Sequence, residues 1–285
     1  EGIMRDRAAH LPYLLLAPSV LFLAVFFVYP LVETIALSLK GPQGLSLANY
    51  ARMAGDLNFG AAMGNTFLLV AVVVPLQLVF ALAMAQMLTK LQKGRDLVLW
   101  VWTIPLGVSD LAAGLVWLAL LTDRGYINTI LYGLGVIDGP TGWLSYETPV
   151  TLFLAIVIAE VWRATAIVLV IIVAGVGLIP KEYDEAAQIF GATPWQRFVK
   201  ITLPLLKPSI QTALILRTVL AFEVFAVVFA LGGRNFPVLV GEAYVWQFDN
   251  QNYGVASAYA VLVMAISLAA TVVYLRVLRT PPEAR

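Results

Sequence analysis

The sequence EYDEAAQIFGATPWQRFVKITLPLLKP, from Glu182 to Pro208, is a polar stretch in a chain that is otherwise strongly apolar. It lies between two long apolar runs and contains three prolines and one glycine. Polar and apolar residues alternate along it with the period of a helix, not of a strand. The stretch therefore predicts a hairpin of two short amphipathic helices over residues 180–204, with the turn at Gly191.

The first helix of this hairpin has recognisable ends. Pro180 suits the first turn of a helix, and Glu182, Asp184 and Glu185 follow where the helix dipole favours acidic side chains. Gly191 is the residue type that most readily takes the left-handed conformation after a helix. One face of the helix has an apolar stripe at helical spacing: Tyr183, Ala186, Ala187 and Phe190.

The second helix begins directly after Gly191 and Ala192. Thr193, Pro194 and Gln196 together form a capping box with a proline at the first helical position. A second apolar stripe follows at Trp195, Phe198, Val199 and Thr202, before two prolines end the helix. Such stripes fit either a membrane surface or a protein partner. The acidic first turn favours the protein partner, because anionic lipid headgroups repel carboxylates.

The composition of the whole chain indicates an integral membrane protein. Of its 285 residues, 61% are hydrophobic and 12% are charged, whereas soluble domains have about 25% charged residues. The net charge of +1 gives no basic field for nucleic acid. The absence of cysteine and the single histidine, His10, exclude disulfides and cysteine-ligated zinc and disfavour other metal sites.

Six apolar runs are long enough to cross a bilayer, which takes about 20 residues. The first is too long for a signal peptide and is followed by no cleavage site. We predict an all-α, polytopic membrane protein in which residues 1–285 form a single transmembrane domain. The predicted spans are Leu11–Ser38, Gly64–Leu88, Leu97–Leu121, Val150–Leu178, Ser209–Leu231 and Gly254–Leu278.

The distribution of lysine and arginine predicts the orientation of these spans. Twelve of these residues lie on the side that contains both termini and the hairpin, and four lie on the other side. Loops rich in lysine and arginine stay in the cytoplasm. The termini and the hairpin are therefore predicted to be cytoplasmic.

The hairpin also resembles a known family. Glu185-Ala186-Ala187, three residues, Gly191, nine residues and then Ile201-Thr202-Leu203-Pro204 match the EAA signature of binding-protein-dependent ABC importer permeases. The flanking sequences VWRATAIVLVIIVAGVGLIPKEYDEAAQIFGA and LGGRNFPVLVGEAYVWQFDNQNYGVASAYAV look like the sugar-transporting branch of that family. Phe190 departs from the pattern, because the family often has an acidic residue before the glycine.

The resemblance implies a type I importer fold and a role for the hairpin as coupling helices that seat in a cleft of a cytoplasmic ATPase. In this interpretation Glu185 approaches a basic residue of the ATPase and Gly191 supplies the turn. The residues implied in ATPase coupling are Glu182, Tyr183, Glu185, Ala186, Ala187, Gly191, Ala192, Trp195 and Phe198.

Apart from Arg276 at the cytoplasmic end of the last span, six charged residues fall within the predicted spans, where such residues usually mark functional sites. They are Glu33, Asp110, Glu160, Arg163, Arg217 and Glu223. Glu160 and Arg163 share a helix face near the bilayer centre and can pair, whereas Arg217 is close enough to the helix start to reach the membrane surface. The four nearest the bilayer centre are Asp110, Glu160, Arg163 and Glu223. They form either an ion-pair network that fixes helix register or a polar wall along a substrate path.

The resemblance places sugar contacts on the fourth and fifth spans. The implied substrate-path residues are Asp110, Glu160, Arg163, Ala164, Ile167, Phe222 and Glu223. Carboxylates accept hydrogen bonds from sugar hydroxyls and aromatic rings stack on sugar rings. A neutral sugar therefore fits better than an anion such as glycerol phosphate, which needs surplus positive charge.

The chain has no phosphate-binding P-loop, so ATP and magnesium are expected on a separate ATPase, with no cofactor in this chain and no catalytic residue. The resemblance implies a bacterial cytoplasmic-membrane permease subunit for a sugar, with trehalose or maltose as the expected substrate. Its implied partners are two ATPase subunits, a non-identical second permease and an extracellular sugar-binding protein. A proton-coupled transporter, a structural membrane subunit and an intramembrane hydrolase using Asp110 and Glu160 remain alternatives.

Overall fold

The computed structural model describes residues 2–91 and 93–278 of the chain. Arg279 and Arg285, which entered the topology prediction, lie outside these residues. Helices dominate the described part. In chain order they are α1 (Gly2–Leu23), α2 (Tyr29–Ser38), α3 (Ala48–Ala54), α4 (Phe59–Lys90), α5 (Arg95–Thr103), α6 (Asp110–Leu121), α7 (Tyr126–Gly133), α8 (Pro149–Gly177), α9 (Lys181–Ile189), α10 (Pro194–Arg197), α11 (Leu203–Leu205), α12 (Lys207–Phe222), α13 (Ala226–Gly232), α14 (Leu239–Tyr244) and α15 (Tyr253–Val277).

Short irregular elements connect several of these helices. Five-residue π-helical turns occur at Ala24–Val28, Phe198–Thr202 and Val245–Asp249, and 3-10 turns occur at Ile104–Gly107 and Gly233–Asn235. Two short strands, β1 (Lys40–Gly41) and β2 (Gly44–Leu45), form an antiparallel hairpin in which Lys40 pairs with Leu45. The prediction of an all-helical protein is confirmed apart from this four-residue sheet.

Four helical segments in the described residues are long and apolar enough to cross a membrane without a break. They are Tyr13–Ser38, Phe59–Lys90, Pro149–Gly177 and Tyr253–Val277. They correspond to the first, second, fourth and sixth predicted spans. Two further pairs of helices are each bent at a short break, which gives up to six spans if each pair crosses once.

The third predicted span, Leu97–Leu121, was wrong as a continuous helix. The segments Arg95–Gly107 and Asp110–Gly133 meet at an angle of 98°. Pro105 is the second residue of a 3-10 turn, and the Ser109 side chain caps α6 by accepting a hydrogen bond from the Ala112 amide at 3.2 Å. Asp110 is therefore the first residue of a helix and does not lie in the middle of one.

The fifth predicted span, Ser209–Leu231, was also wrong as a single helix. It begins earlier, at Lys207, after a 67° bend from the preceding helical segment. It then ends at Phe222, and a new helix starts at Ala226. Phe225 has the non-helical angles φ −142° and ψ −61°. The sequence at this break contains neither glycine nor proline, so no local signal reveals it.

The chain divides into two compact units, Glu1–Leu57 with Glu242–Leu262 and Asn58–Gly241 with Val263–Arg285. Within the first unit, Asp56 links segments that are distant in sequence through side-chain hydrogen bonds. One of its carboxylate oxygens accepts hydrogen bonds from the Trp246 indole at 2.5 Å and from the Tyr259 hydroxyl at 3.1 Å. Arg52 stacks over the Trp246 ring. These contacts join α3 to the π-helical turn Val245–Asp249 and to the start of α15.

The second unit contains two apolar cores. One joins the first halves of α4 and α8 to α6 and α13, and includes Ile156 and Val227, which are fully buried. The other joins the later turns of α4 and α8 to α12, and includes Leu169 and Ile172. The charged side chains described below lie between these two cores.

A close approach of α8 and α12 depends on Gly175. A Cβ atom at this position would lie 2.7 Å from Ser209 Cβ and 3.0 Å from Leu206 Cδ2, and closer still to Ser209 Oγ. The Ser209 hydroxyl can rotate away, but its Cβ is fixed to the backbone. The glycine is therefore required by helix packing.

Gly175→Ala is expected to lower the free energy of unfolding by about 1–3 kcal/mol, the usual cost of overpacking. Thermal unfolding of the purified protein in detergent would measure it. Gly177→Ala is the matched control, because a Cβ there meets no atom within 4 Å. Adding Ser209→Gly to Gly175→Ala should restore most of the loss. A Gly175→Ala protein as stable as the parent would contradict the close packing.

Candidate functional sites

The predicted hairpin is present, and its turn has the expected geometry. Gly191 has a φ of +76°, in the left-handed region. The Gly191 amide donates to the Gln188 carbonyl and the Ala192 amide donates to the Ala187 carbonyl, both at 2.9 Å. These two bonds form a Schellman motif, which satisfies the carbonyls at the end of α9. Pro180 caps the start of α9 instead of occupying its first turn.

The capping box at the start of α10 is also confirmed. The Gln196 amide donates to Thr193 Oγ1 at 3.3 Å, and the Thr193 amide donates to Gln196 Oε1 at 2.9 Å. The helical segment continues through a π-helical turn to Leu205, so Pro204 lies within it and does not end it. The chain bends only at Leu206, which is buried.

An ion pair that local sequence spacing does not predict joins the two helices of the hairpin. Arg197 Nη1 lies 2.6 Å from Asp184 Oδ2, and Gln188 donates to the same oxygen at 2.8 Å. Asp184 and Gln188 have the i, i+4 spacing of a helical pair, but Arg197 is thirteen residues from Asp184. The hairpin is therefore held by a turn, a cap and an ion pair.

The hairpin exposes large apolar side chains. Phe190 is 89% exposed, Ile189 85%, Trp195 71% and Tyr183 53%. The Trp195 and Phe198 rings lie 5.7 Å apart. Of the other residues implied in coupling, Glu182, Glu185, Ala186 and Gly191 are exposed, whereas Ala187, Ala192 and Phe198 are partly buried. Exposed apolar groups beside carboxylates form a surface suited to a partner.

A second candidate site is a charged cluster between α4, α6, α8 and α12. Its centre is Glu160, which is 1% exposed. Arg217, 2% exposed, donates from Nη2 to Glu160 Oε2 at 2.8 Å and from Nε to Gln77 Oε1 at 2.6 Å. Gln77 in turn donates to the Glu160 backbone carbonyl at 2.9 Å. The prediction that Arg217 reaches the membrane surface is therefore wrong.

Arg163 connects this buried centre to a more accessible carboxylate. Its Nη2 atom lies 3.3 Å from Glu160 Oε2, which confirms the predicted i, i+3 pair. Its Nη1 atom lies 2.6 Å from Asp110 Oδ1, and the Asp110 side chain is 52% exposed. The two arginines and two carboxylates balance in charge. The attraction between paired charges offsets the cost of removing them from water, at least in part.

The remaining residues of the implied substrate path do not join the cluster. Ala164 is 5% exposed, and Ile167 packs at the edge of the core around Leu169. Phe222 is 4% exposed and contacts Phe67 edge-to-face at 5.4 Å. Glu223 ends α12 and is exposed. Within the described residues, no group of three or more histidine, aspartate or glutamate side chains forms a metal site.

Comparison with known proteins supports the resemblance. Residues 77–280 match the family described as binding-protein-dependent transport system inner membrane component. The chain is 34% identical to the trehalose/maltose transport system permease protein MalF of Thermococcus litoralis, over 96% of this chain and 95% of that protein. It is also 34% identical to the sulfoquinovosyl glycerol transport system permease protein SmoG of Agrobacterium fabrum, over 95% and 91% of the two chains.

The fold is also found in a solved structure. A chain of the bacterial alginate ABC transporter in complex with alginate pentasaccharide-bound periplasmic protein superimposes with a TM-score of 0.83. The match covers 98% of each chain at 21% sequence identity. At this level of identity the likeness establishes the fold, that of a type I importer permease.

Proposed function

Because the chain belongs to the family of binding-protein-dependent transport system inner membrane components, we propose that it forms half of the translocation path of an ATP-driven sugar importer. The observation that carries the proposal is the rigid hairpin with its exposed apolar and acidic surface. The named relatives are transport permeases, which favours a transport function over an enzymatic one.

The proposed partners are those that the family implies. This chain contains no phosphate-binding loop, so two separate ATPase subunits are proposed to bind ATP and magnesium. A second, non-identical permease would complete the path, and an extracellular binding protein would deliver the sugar. The hairpin and both termini are assigned to the cytoplasm by the excess of lysine and arginine on their side.

The hairpin is proposed to transmit the closure of the ATPases to the spans. The coupling surface comprises Glu182, Tyr183, Glu185, Ala186, Ala187, Gly191, Ala192, Trp195 and Phe198, to which the structure adds Ile189 and Phe190 as exposed neighbours. The Asp184–Arg197 ion pair makes the two short helices move together. The bend at Leu206 leads directly into α12, which contains Arg217.

The substrate path is proposed to run past the accessible end of the charged cluster. Asp110 is half-exposed and Glu223 is exposed, so both can accept hydrogen bonds from sugar hydroxyls. Buried residues would lie behind these two carboxylates and support the wall of the path: Glu160, Ala164 and Phe222. Arg163 and Ile167 would lie at the edge of the wall. Paired carboxylates leave the arginines no surplus positive charge, which disfavours an anionic solute.

Trehalose or maltose is the proposed sugar, because the named relative from Thermococcus litoralis transports them. The test is a reconstituted complex of this chain, its ATPases and its second permease. Trehalose- or maltose-loaded binding protein should stimulate ATP hydrolysis, whereas binding protein presented with glycerol phosphate should not. Uptake driven by a proton gradient in liposomes that contain this chain alone would instead establish a secondary transporter.

Cross-linking tests the proposed docking surface directly, because the chain contains no cysteine. Phe190→Cys and Trp195→Cys should each form a cross-link with the ATPase in native membranes. Leu134→Cys is the control. Leu134 is 71% exposed but lies between the third and fourth predicted spans, on the side predicted to be opposite the hairpin. Cross-links from Leu134→Cys, with none from the hairpin, would contradict both the docking and the orientation.

A further inference from the structure

A cavity of about 670 Å³ lies beside the hairpin and shares only Phe198 with the proposed coupling surface. Its walls come from the last turn of α4, the first residue of α5, the end of α8 and the two hairpin helices. The cavity is therefore bounded partly by spans and partly by the element proposed to move.

Positive charge dominates the cavity lining. Lys90, Arg95, Lys181 and Arg197 line it, and Asp184 is the one carboxylate among the lining residues. Arg197 neutralises Asp184 at 2.6 Å. Across residues 2–91 and 93–278, none of the other three cations has an ion-pair partner within 4.0 Å. Arg197 Nε is buried and has no hydrogen-bond partner there. The cavity thus presents three cations without an ion-pair partner and one unused donor. Glu182 and Glu185, the other acidic residues near the start of α9, do not line it.

The composition of the helices around the cavity indicates its depth in the membrane. Helix α4 has 32 residues and is about 48 Å long, which exceeds the hydrocarbon core of about 30 Å. Its apolar run ends at Leu88, so the polar residues Thr89 and Lys90, which line the cavity, are expected at the level of the lipid headgroups. Helix α8 ends at Gly177, which lines the same cavity. Phospholipid phosphates are the most concentrated anions at this depth.

We infer that this cavity binds the phosphate of an anionic phospholipid headgroup. Arginine presents paired donors to phosphate oxygens, and lysine adds a point charge. Val176, Ile179 and Phe198 supply an apolar edge for the lipid glycerol and upper chain. Lys90 and Arg95 belong to the spans, whereas Lys181 and Arg197 belong to the hairpin. One headgroup would bridge them and would tie the position of the hairpin to lipid composition. This inference depends on the membrane location of the family and not on the transported solute.

The test is native mass spectrometry of the purified full chain titrated with phosphatidylglycerol. The variant Lys90→Gln/Arg95→Gln removes two cavity charges. Each basic residue near an anionic headgroup contributes enough attraction that losing two should weaken binding about thirtyfold. The charge-matched control is Lys93→Gln/Arg276→Gln, because neither residue lines the cavity. It should bind phosphatidylglycerol as the parent does.

Several results would overturn the inference. Equal loss in the control would show a diffuse surface charge effect. Equal binding of phosphatidylcholine would show that negative charge is not recognised. Competition by inorganic phosphate at millimolar concentration would assign the site to a free anion. Complete displacement of the lipid on addition of the ATPase subunit would assign the cavity to that protein interface. Retention of phosphatidylglycerol by the assembled complex, lost only in the cavity variant, would support the lipid.

Discussion

Replacing Arg217 with leucine should lower the free energy of unfolding by about 3–5 kcal/mol, the cost of leaving a buried charge without its partner. Arg217 and Glu160 are 2% and 1% exposed, so water cannot replace the lost contact. The change also removes the donor that satisfies Gln77 Oε1. Denaturant or thermal unfolding of the protein in detergent, together with the yield of monodisperse protein, would measure the effect.

Two matched variants separate the buried charge from simple loss of volume. Glu160→Gln/Arg217→Met removes both charges while keeping similar side-chain sizes, and buried pairs replaced in this way are often close to neutral. It should recover most of the stability lost by Arg217→Leu. Arg163→Met should cost less than Arg217→Leu, because its partner Asp110 is half-exposed and can be solvated. Equal losses in the single and double variants would contradict a network of paired charges.

Two further single variants, Glu160→Ala and Asp110→Asn, distinguish the ion-pair network from the substrate-path wall. Replacing a residue of the substrate path should abolish uptake and leave the protein folded. Replacing a member of a structural ion pair should instead destabilise the fold. The burial of Glu160 and its bonds to α4 and α12 favour the structural role for this residue. We therefore expect the Glu160→Ala variant not to form the folded complex. The Asp110→Asn variant should form the complex but lose uptake.

The sequence predicted those parts of the cluster that depend on local spacing. Glu160 and Arg163 are three residues apart on one helix, and their pairing was predicted and is confirmed. Arg217 and Gln77 were not recognised as members. Their partners lie 57 and 140 residues away in sequence, and spacing within one helix contains no information about such contacts.

The same limit explains which of the predicted spans agree with the structure and which do not. Four of the six predicted spans agree with the structure to within about five residues at their ends. Long apolar runs predict them because hydropathy is a property of the local sequence. The break before Asp110 has a proline and a serine cap that identify it only in retrospect. The break at residues 223–225 has no such signal. Val224 and Val227 are buried there, so tertiary packing decides where that helix ends.

The hairpin was the most predictable element, because the residues that form its caps and its turn lie within about 30 residues of one another in the sequence. The Asp184–Arg197 pair, which crosses the turn, was missed, and Pro204 lies within the second helix instead of ending it. The turn itself is therefore the place where a single substitution tests the proposed mechanical role of the hairpin most directly.

Gly191→Val should leave the protein folded and uncouple ATP hydrolysis from uptake. The left-handed conformation costs a residue with a Cβ about 1–2 kcal/mol, and a β-branched side chain is especially disfavoured there. A strain of that size shifts an equilibrium about 5- to 30-fold, so much of the population would abandon the Schellman turn. No atom lies within 4 Å of a Cβ at this position, so the effect comes from backbone strain and not from a clash.

Gly191→Asn is the matched control, because asparagine tolerates the left-handed conformation while also adding a side chain. In the reconstituted complex it should retain uptake and stimulation of the ATPase by loaded binding protein. Gly191→Val should lose uptake while its unfolding temperature stays close to that of the parent, since the spans are untouched. If valine and asparagine behave alike, the left-handed turn is not what transmits the motion. If uptake persists in both, the rigid hairpin cannot be the coupling element.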